Sequence, residues 1–288
     1  MTTKLASRVG FYARLGVSEP FDPDHKLVTS PVFSPLVLAI VRLGLGFYGL
    51  FVLLFHLIWE AVKTHEADSF FSYFTHLSYT GLVAYYFAAG VQSLCYVRNR
   101  QKSYPLQRWP RPLQLLHLLL YSTISSYPFV VTVIFWALLS GPNTLSTTFD
   151  AWSNISEHAM NSLYALIEIV LTNVGPSPWL HLPLCILMLA CYLGVAYITH
   201  ATQGIYTYSF LDPHKEHAKL AGYIVGVGVA ECLAFLLARA LTLLRTRLVL
   251  RSRSGTSRAR SSDADSQQQA IDDWEEIERP GTPAAHAV

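Results

Sequence analysis

Long apolar runs, broken by short polar connections, set the pattern of this chain. Runs at 36–60, 70–97, 113–140, 156–174, 179–203 and 219–244 are each about 20 residues or longer, enough to cross about 30 Å of hydrocarbon at about 1.5 Å per residue. Lipid offers no partner to backbone N–H and C=O groups, so such a run predicts a helix that satisfies them internally. The fourth run is the shortest and carries His158, Asn161, Ser162 and Glu168, with Gly175, Pro176 and Pro178 marking its end. The pattern predicts an all-α polytopic membrane protein: an N-terminal segment 1–35, a bundle of six transmembrane helices over 36–244, and a tail 245–288.

Within the runs, polar positions recur at helical spacing. At about 100° per residue, Thr75, Ser78, Tyr79, Tyr86 and Ser93 share one face of the second run. His158, Asn161, Ser162, Ala165, Glu168 and Thr172 fall on an arc of about 120° in the fourth. Polar groups in lipid need partners, so the two stripes are expected to face each other.

Charge supplies orientation. Residues 98–112 hold Arg98, Arg100, Lys102, Arg108 and Arg111, the N-terminal segment holds Lys4, Arg8, Arg14 and Lys26, and the tail opens with Arg245, Arg247, Arg251, Arg253, Arg258 and Arg260. The alternate loops show only Lys63, Lys215 and Lys219. The positive-inside bias therefore predicts cytosolic termini. Residues 1–35 contain no apolar core of a cleavable signal peptide, and the Ser-, Gln-, Asp- and Glu-rich end reads as a disordered tail. A sequon at Asn154 falls on the opposite side, close to the fourth run.

Composition agrees with a membrane protein: 52% of the 288 residues are hydrophobic, 14% are charged and the mean hydropathy is +0.32. A net charge of +2 singles out no partner and gives no reason to expect nucleic-acid binding. The four cysteines, Cys95, Cys185, Cys191 and Cys232, lie in apolar runs without CxxC spacing and read as buried free thiols. Gly44-Leu45-Gly46-Phe47-Tyr48-Gly49 matches GxGxxG, but no strand precedes it; these glycines, with Gly222, Gly226 and Gly228, are expected at helix contacts instead.

Topology places the start of the second and fourth runs and the end of the fifth in one leaflet. Thr75, His158 and His200 therefore gather near one another, with Tyr206, Tyr208, Asp212, His214 and His217 following in the next loop. A hydroxyl beside an imidazole suggests nucleophilic ester cleavage through an acyl-enzyme. The same stripes fit a polar network that only joins helices. A metal set of His158, His200 and Glu168 lacks any HxxxH or HExxH pairing, so no metal is expected, whereas Glu168, Glu231 and Arg239 fit a proton or solute path.

Three segments carry a resemblance. Phe74-Thr75-His76-Leu77-Ser78, Glu157-His158-Ala159-Met160-Asn161-Ser162 and Gly204-Ile205-Tyr206-Thr207-Tyr208-Ser209-Phe210-Leu211-Asp212, in this order, resemble the androgen-induced protein family over about 36–244. The resemblance implies a multipass threonine hydrolase of fatty acid esters of hydroxy fatty acids, with Thr75 as nucleophile and His158 as catalytic histidine. Ser78, Tyr79, Asn161, Ser162 and His200 are then candidates for orienting the histidine or meeting the substrate, with no cofactor required. The expected partners are membrane lipids and the ester, and the expected location is the endoplasmic reticulum or plasma membrane. Two departures stand out: Ser156-Glu157 precedes the histidine where animal relatives have Asn, and Ser209 replaces their Pro. Rolling-stone-like membrane proteins have a similar arrangement of spans, so a noncatalytic scaffold or lipid-binding protein is the alternative.

Overall fold

A computed structural model of the chain describes residues 10–278, with side chains described through residue 252. Lys4 and Arg8, the side chains of Arg253, Arg258 and Arg260, and the end of the tail from 279 lie outside the described residues. The described residues form helices and no strand. The main helices are α1 (Pro35–Trp59), α2 (Phe74–Arg98), α3 (Arg111–Ile134), α4 (Thr148–His158), α5 (Met160–Leu171), α6 (His181–Gln203) and α7 (Lys219–Glu278). The chain divides into two compact units after Leu243, and the cavities and side-chain contacts described below belong to the first. The described part of the second unit, from Leu244 to Glu278, is helix, and it covers much of the stretch read as a tail.

Among the described residues four helices are long and apolar enough to cross a membrane: Pro35–Thr64, Arg111–Leu139, His181–Gln203 and Lys219–Ser252. The first starts where the sequence allows a clean beginning. Pro35 occupies the first turn, where a missing N–H costs nothing, and the Ser34 hydroxyl accepts the Val37 N–H.

The other two expected spans depart from the pattern for identifiable reasons. Helix α2 has 25 residues, ample length, but its buried side chains include Thr75, His76, Tyr79, Tyr85, Tyr86, Gln92 and Ser93. It spends much of its surface on buried polar contacts, which keeps it out of the set of helices apolar enough to cross a membrane. The fourth run is not one helix. It is interrupted at Ala159, whose backbone (φ −124°, ψ −51°) leaves the helical region, so α4 and α5 have 11 and 12 residues. At the break the His158 carbonyl accepts a hydrogen bond from Trp136 Nε1 at 3.1 Å instead of serving a continuous ladder.

Helix α1 packs along α2 at close range. A Cβ at Gly49 would stand 2.8 Å from Val83 Cγ2, and one at Gly90 would stand 2.8 Å from Leu43 Cδ2 and 3.3 Å from the Leu43 backbone nitrogen. The Gly90 contact involves main chain and cannot be relieved by a rotamer change alone. Gly90→Ala is expected to cost about 1–3 kcal/mol through overpacking, read as a lowered thermal midpoint in detergent. The expected packing role does not extend to Gly44, Gly222, Gly226 or Gly228, where an added Cβ meets nothing within 4 Å. All four cysteines are free; Cys185 is buried, whereas Cys191 is exposed.

Helices α1, α2 and α5 are tied together by a buried ion pair that the hydropathy pattern passes over. Arg42 lies inside the first apolar run, yet it is 1% exposed and pairs with Glu168, itself 0% exposed. Arg42 Nε donates to Glu168 Oε2 at 3.2 Å, and its other nitrogens reach Glu168 Oε1, the Leu27 carbonyl at 2.8 Å and Ser93 Oγ at 2.7 Å. The Tyr85 hydroxyl adds a donor to Glu168 Oε1 at 2.7 Å. Such dense pairing is what a charged pair needs to persist away from water.

Candidate functional site

Helix α2 begins after a 3-10 turn at Ala67–Ser72, which sets Thr75 and His76 in the helix's first turn and buries both. Helix α4 ends at His158, so the break at Ala159 holds this imidazole at a helix terminus. The loop after α6 returns Thr207 and Tyr208 to the same place. These three approaches enclose a polar cavity of about 290 Å³ whose lining includes Thr75, His76, Glu157, His158, Thr207 and Tyr208. A second cavity, about 190 Å³, is lined mainly by apolar side chains of α3, α6 and α7, among them Val131, Ile134, Leu189 and Leu193. Thr75, Phe135, Leu139 and Tyr208 border both. Thr75 therefore stands at the junction of a polar and an apolar compartment.

The His158 ring stacks flat on Phe135, with centroids 3.5 Å apart and planes 3° from parallel. Its Nδ1 is buried with no hydrogen-bond partner among the described residues. Tyr208 is half-buried beside Thr75; desolvation raises its phenol above the ordinary value, while hydrogen bonding with Thr75 works in the opposite direction. At neutral pH Tyr208 is thus a neutral hydroxyl able to donate.

The remaining candidate residues serve elsewhere. Ser78 Oγ donates to the Thr75 carbonyl at 3.0 Å, an intrahelical bond. Tyr79 is buried beside Gly49 in the contact of α1 with α2. Asn161 Oδ1 accepts from Thr132 Oγ1 at 2.9 Å and from the Ser162 N–H at 2.7 Å, while Ser162 Oγ donates to the Pro128 carbonyl at 3.1 Å, so both join α5 to α3. His200 stacks on Tyr206 at 3.8 Å and borders neither cavity. Of the pair expected to face each other across the site, Thr75 and His158 line one cavity; the five supporting candidates do not.

The three residues read as a solute path have these contacts. Glu168 has Arg42 and Tyr85 as partners, and Glu231 Oε1 accepts from Ser126 Oγ at 2.8 Å. Arg239 lies over the Trp179 ring, 4.1 Å from its centroid, and donates to the Ser177 carbonyl. These groups form separate structural contacts.

Sequence reasoning missed a second set of polar groups in the same cavity. His56, from α1, approaches Glu157 with Nδ1 at 3.0 and 3.1 Å from the two carboxylate oxygens, and His76 Nε2 stands 3.5 Å from Glu157 Oε2. One signal was available: Arg42, Gly49 and His56 recur every seven residues, which keeps them near one face of α1. All three meet α2 or its neighbours.

Comparison with protein-family models, with curated proteins and with solved structures finds no match.

Proposed function

We propose that this chain is an integral membrane hydrolase of lipid esters, of the kind in which a fatty acid is esterified to a hydroxy fatty acid. The observation that carries the reading is the position of Thr75 where a polar cavity holding His158 adjoins an apolar one. An ester of a long acyl chain is itself divided in this way, with a polar carbonyl at the end of a hydrocarbon tail. The tail lies in the apolar cavity and the carbonyl reaches Thr75.

In this reading Thr75 Oγ attacks the carbonyl carbon while its proton passes to the imidazole of His158. The carbonyl π electrons move onto oxygen, and the neutral Tyr208 hydroxyl donates a hydrogen bond to that oxyanion. Collapse breaks the bond to the alkoxy oxygen, which leaves as the alcohol with the proton from His158. Water then attacks the acyl-threonine, giving its proton to His158; collapse breaks the bond between the acyl carbon and Thr75 Oγ, His158 returns the proton to that oxygen, and the acid departs. Burial of the site makes each polar interaction stronger than it is in water.

The six-span arrangement, with α2 and the broken α4 and α5 enclosed by lipid-facing helices and both termini cytosolic, belongs to the same proposal. So does a setting in the endoplasmic reticulum or plasma membrane, with membrane lipids as partners. The polar cavity then opens to the extracytosolic leaflet, and a substrate enters from the bilayer.

The test is turnover of esters of graded acyl length by the detergent-purified chain. Val131 is buried and lines the apolar cavity, so Val131→Phe shortens the space available to the tail. The expected result is a loss of about tenfold in kcat/KM for long acyl chains, equivalent to about 1.4 kcal/mol, with short-chain esters spared. Folded wild-type protein that cleaves no ester of any length contradicts the proposal.

A further inference from the structure

The polar cavity holds a group of side chains that the ester chemistry above does not use. The potential ligand atoms of His56, His76 and Glu157 all lie within 4.8 Å of one another. From this cluster we infer that His56 Nδ1, His76 Nε2 and the Glu157 carboxylate form a binding site for a divalent cation of the zinc class.

Spacing is the first argument. Two ligand atoms bonded about 2.0–2.2 Å from one tetrahedral zinc ion stand about 3.3 Å apart. Glu157 lies 3.0 and 3.1 Å from His56 Nδ1, and 3.5 Å from His76 Nε2, on either side of that value.

Orientation is the second. A ligating histidine needs its other ring nitrogen held by an acceptor, which fixes the tautomer and aims the lone pair at the metal. His76 Nδ1–H donates to the Phe70 carbonyl at 2.6 Å, leaving Nε2 to face Glu157. His56 has the corresponding arrangement with the nitrogens exchanged: Nε2 lies 3.3 Å from a Glu60 carboxylate oxygen while Nδ1 faces Glu157. Both imidazoles therefore have the acceptor that a metal site requires, one a carbonyl and the other a carboxylate. The His76 ring is further fixed by stacking on Phe70, with centroids 3.7 Å apart and planes 7° from parallel.

Two histidines and one carboxylate supply three ligands, the number that leaves a zinc ion one position for water or substrate. The cluster lines the cavity shared with Thr75 and His158, so that position opens toward the reacting groups. This site does not depend on the hydrolase reading, and metal content is measured without any substrate.

The experiment uses the full chain in detergent, purified with a tag free of histidine, equilibrated with zinc sulfate and desalted, with zinc counted by mass spectrometry. Wild type is expected to retain about one zinc per chain, and Glu157→Gln and His76→Gln to retain little or none. Glu60→Ala, which removes only the acceptor behind His56, is expected to weaken zinc binding by about 10–100-fold in a chelator competition. His158→Ala keeps its zinc. Wild type that holds no more zinc than Glu157→Gln overturns the inference, and the close contacts are then hydrogen bonds of protonated imidazoles. If the variants do not give monodisperse protein, cobalt added to wild type decides the question: tetrahedral d–d absorption supports the site, and a spectrum of aqueous cobalt overturns it.

Discussion

Thr75→Ala lowers ester turnover by about 10³–10⁶-fold, and His158→Ala lowers it by a similar factor, because each removes a group without which the first bond is not made. The two losses do not add. Once the nucleophile is gone there is no proton for the imidazole to take, so the double variant is expected to be no slower than either single one. Thr75→Ser restores measurable turnover, since it keeps the hydroxyl and gives up only a methyl group. The comparison is made at matched amounts of monodisperse protein. Both positions are buried, 8% exposed each, and a loss explained by reduced folded protein would make them packing residues.

The second large effect concerns stability. Arg42→Met leaves Glu168 buried without its cation, while Tyr85 continues to donate to one carboxylate oxygen. Breaking a buried pair from one side costs about 3–5 kcal/mol, far more than the pair itself contributes over an apolar replacement. The expected result is a large fall in the denaturation midpoint in detergent. The double variant Arg42→Met/Glu168→Leu recovers much of the loss, because the uncompensated charge is gone. An Arg42→Met protein as stable as wild type contradicts the structural role given to this pair, which joins α1, α2 and α5.

The apolar runs made the helices legible, since length and hydropathy act locally. What they left open was which of those helices turn polar side chains inward. α2 reads as a span by its run, but its Thr, His, Tyr and Gln side chains are turned toward neighbouring helices. At the break at Ala159, Trp136, in the turn that follows α3 and 22 residues earlier, offers its indole N–H to the His158 carbonyl. No pattern within the fourth run contains that information.

The polar stripes were legible as faces, though not as a single site. Along α2, Thr75 borders the cavities, Tyr86 donates to the Tyr164 carbonyl and Ser93 binds Arg42, so one face serves three purposes at different depths. Along α5 the stripe divides likewise between α3, through Asn161 and Ser162, and Arg42, through Glu168. Thr75 and His158 could be paired from topology because each lies at a helix end. His56, His76 and Glu157 come from three separate helices, and only tertiary packing brings them together. Motif spacing detects ligands that share a helix and is blind to such a cluster.

The central claim is that Thr75 is an activated nucleophile, and a fluorophosphonate probe tests it without knowledge of the natural ester. The account predicts covalent labelling of detergent-solubilised wild type that disappears in Thr75→Ala and in His158→Ala, with both variants monodisperse. A folded wild type that takes up no label, or label that persists in Thr75→Ala, contradicts it.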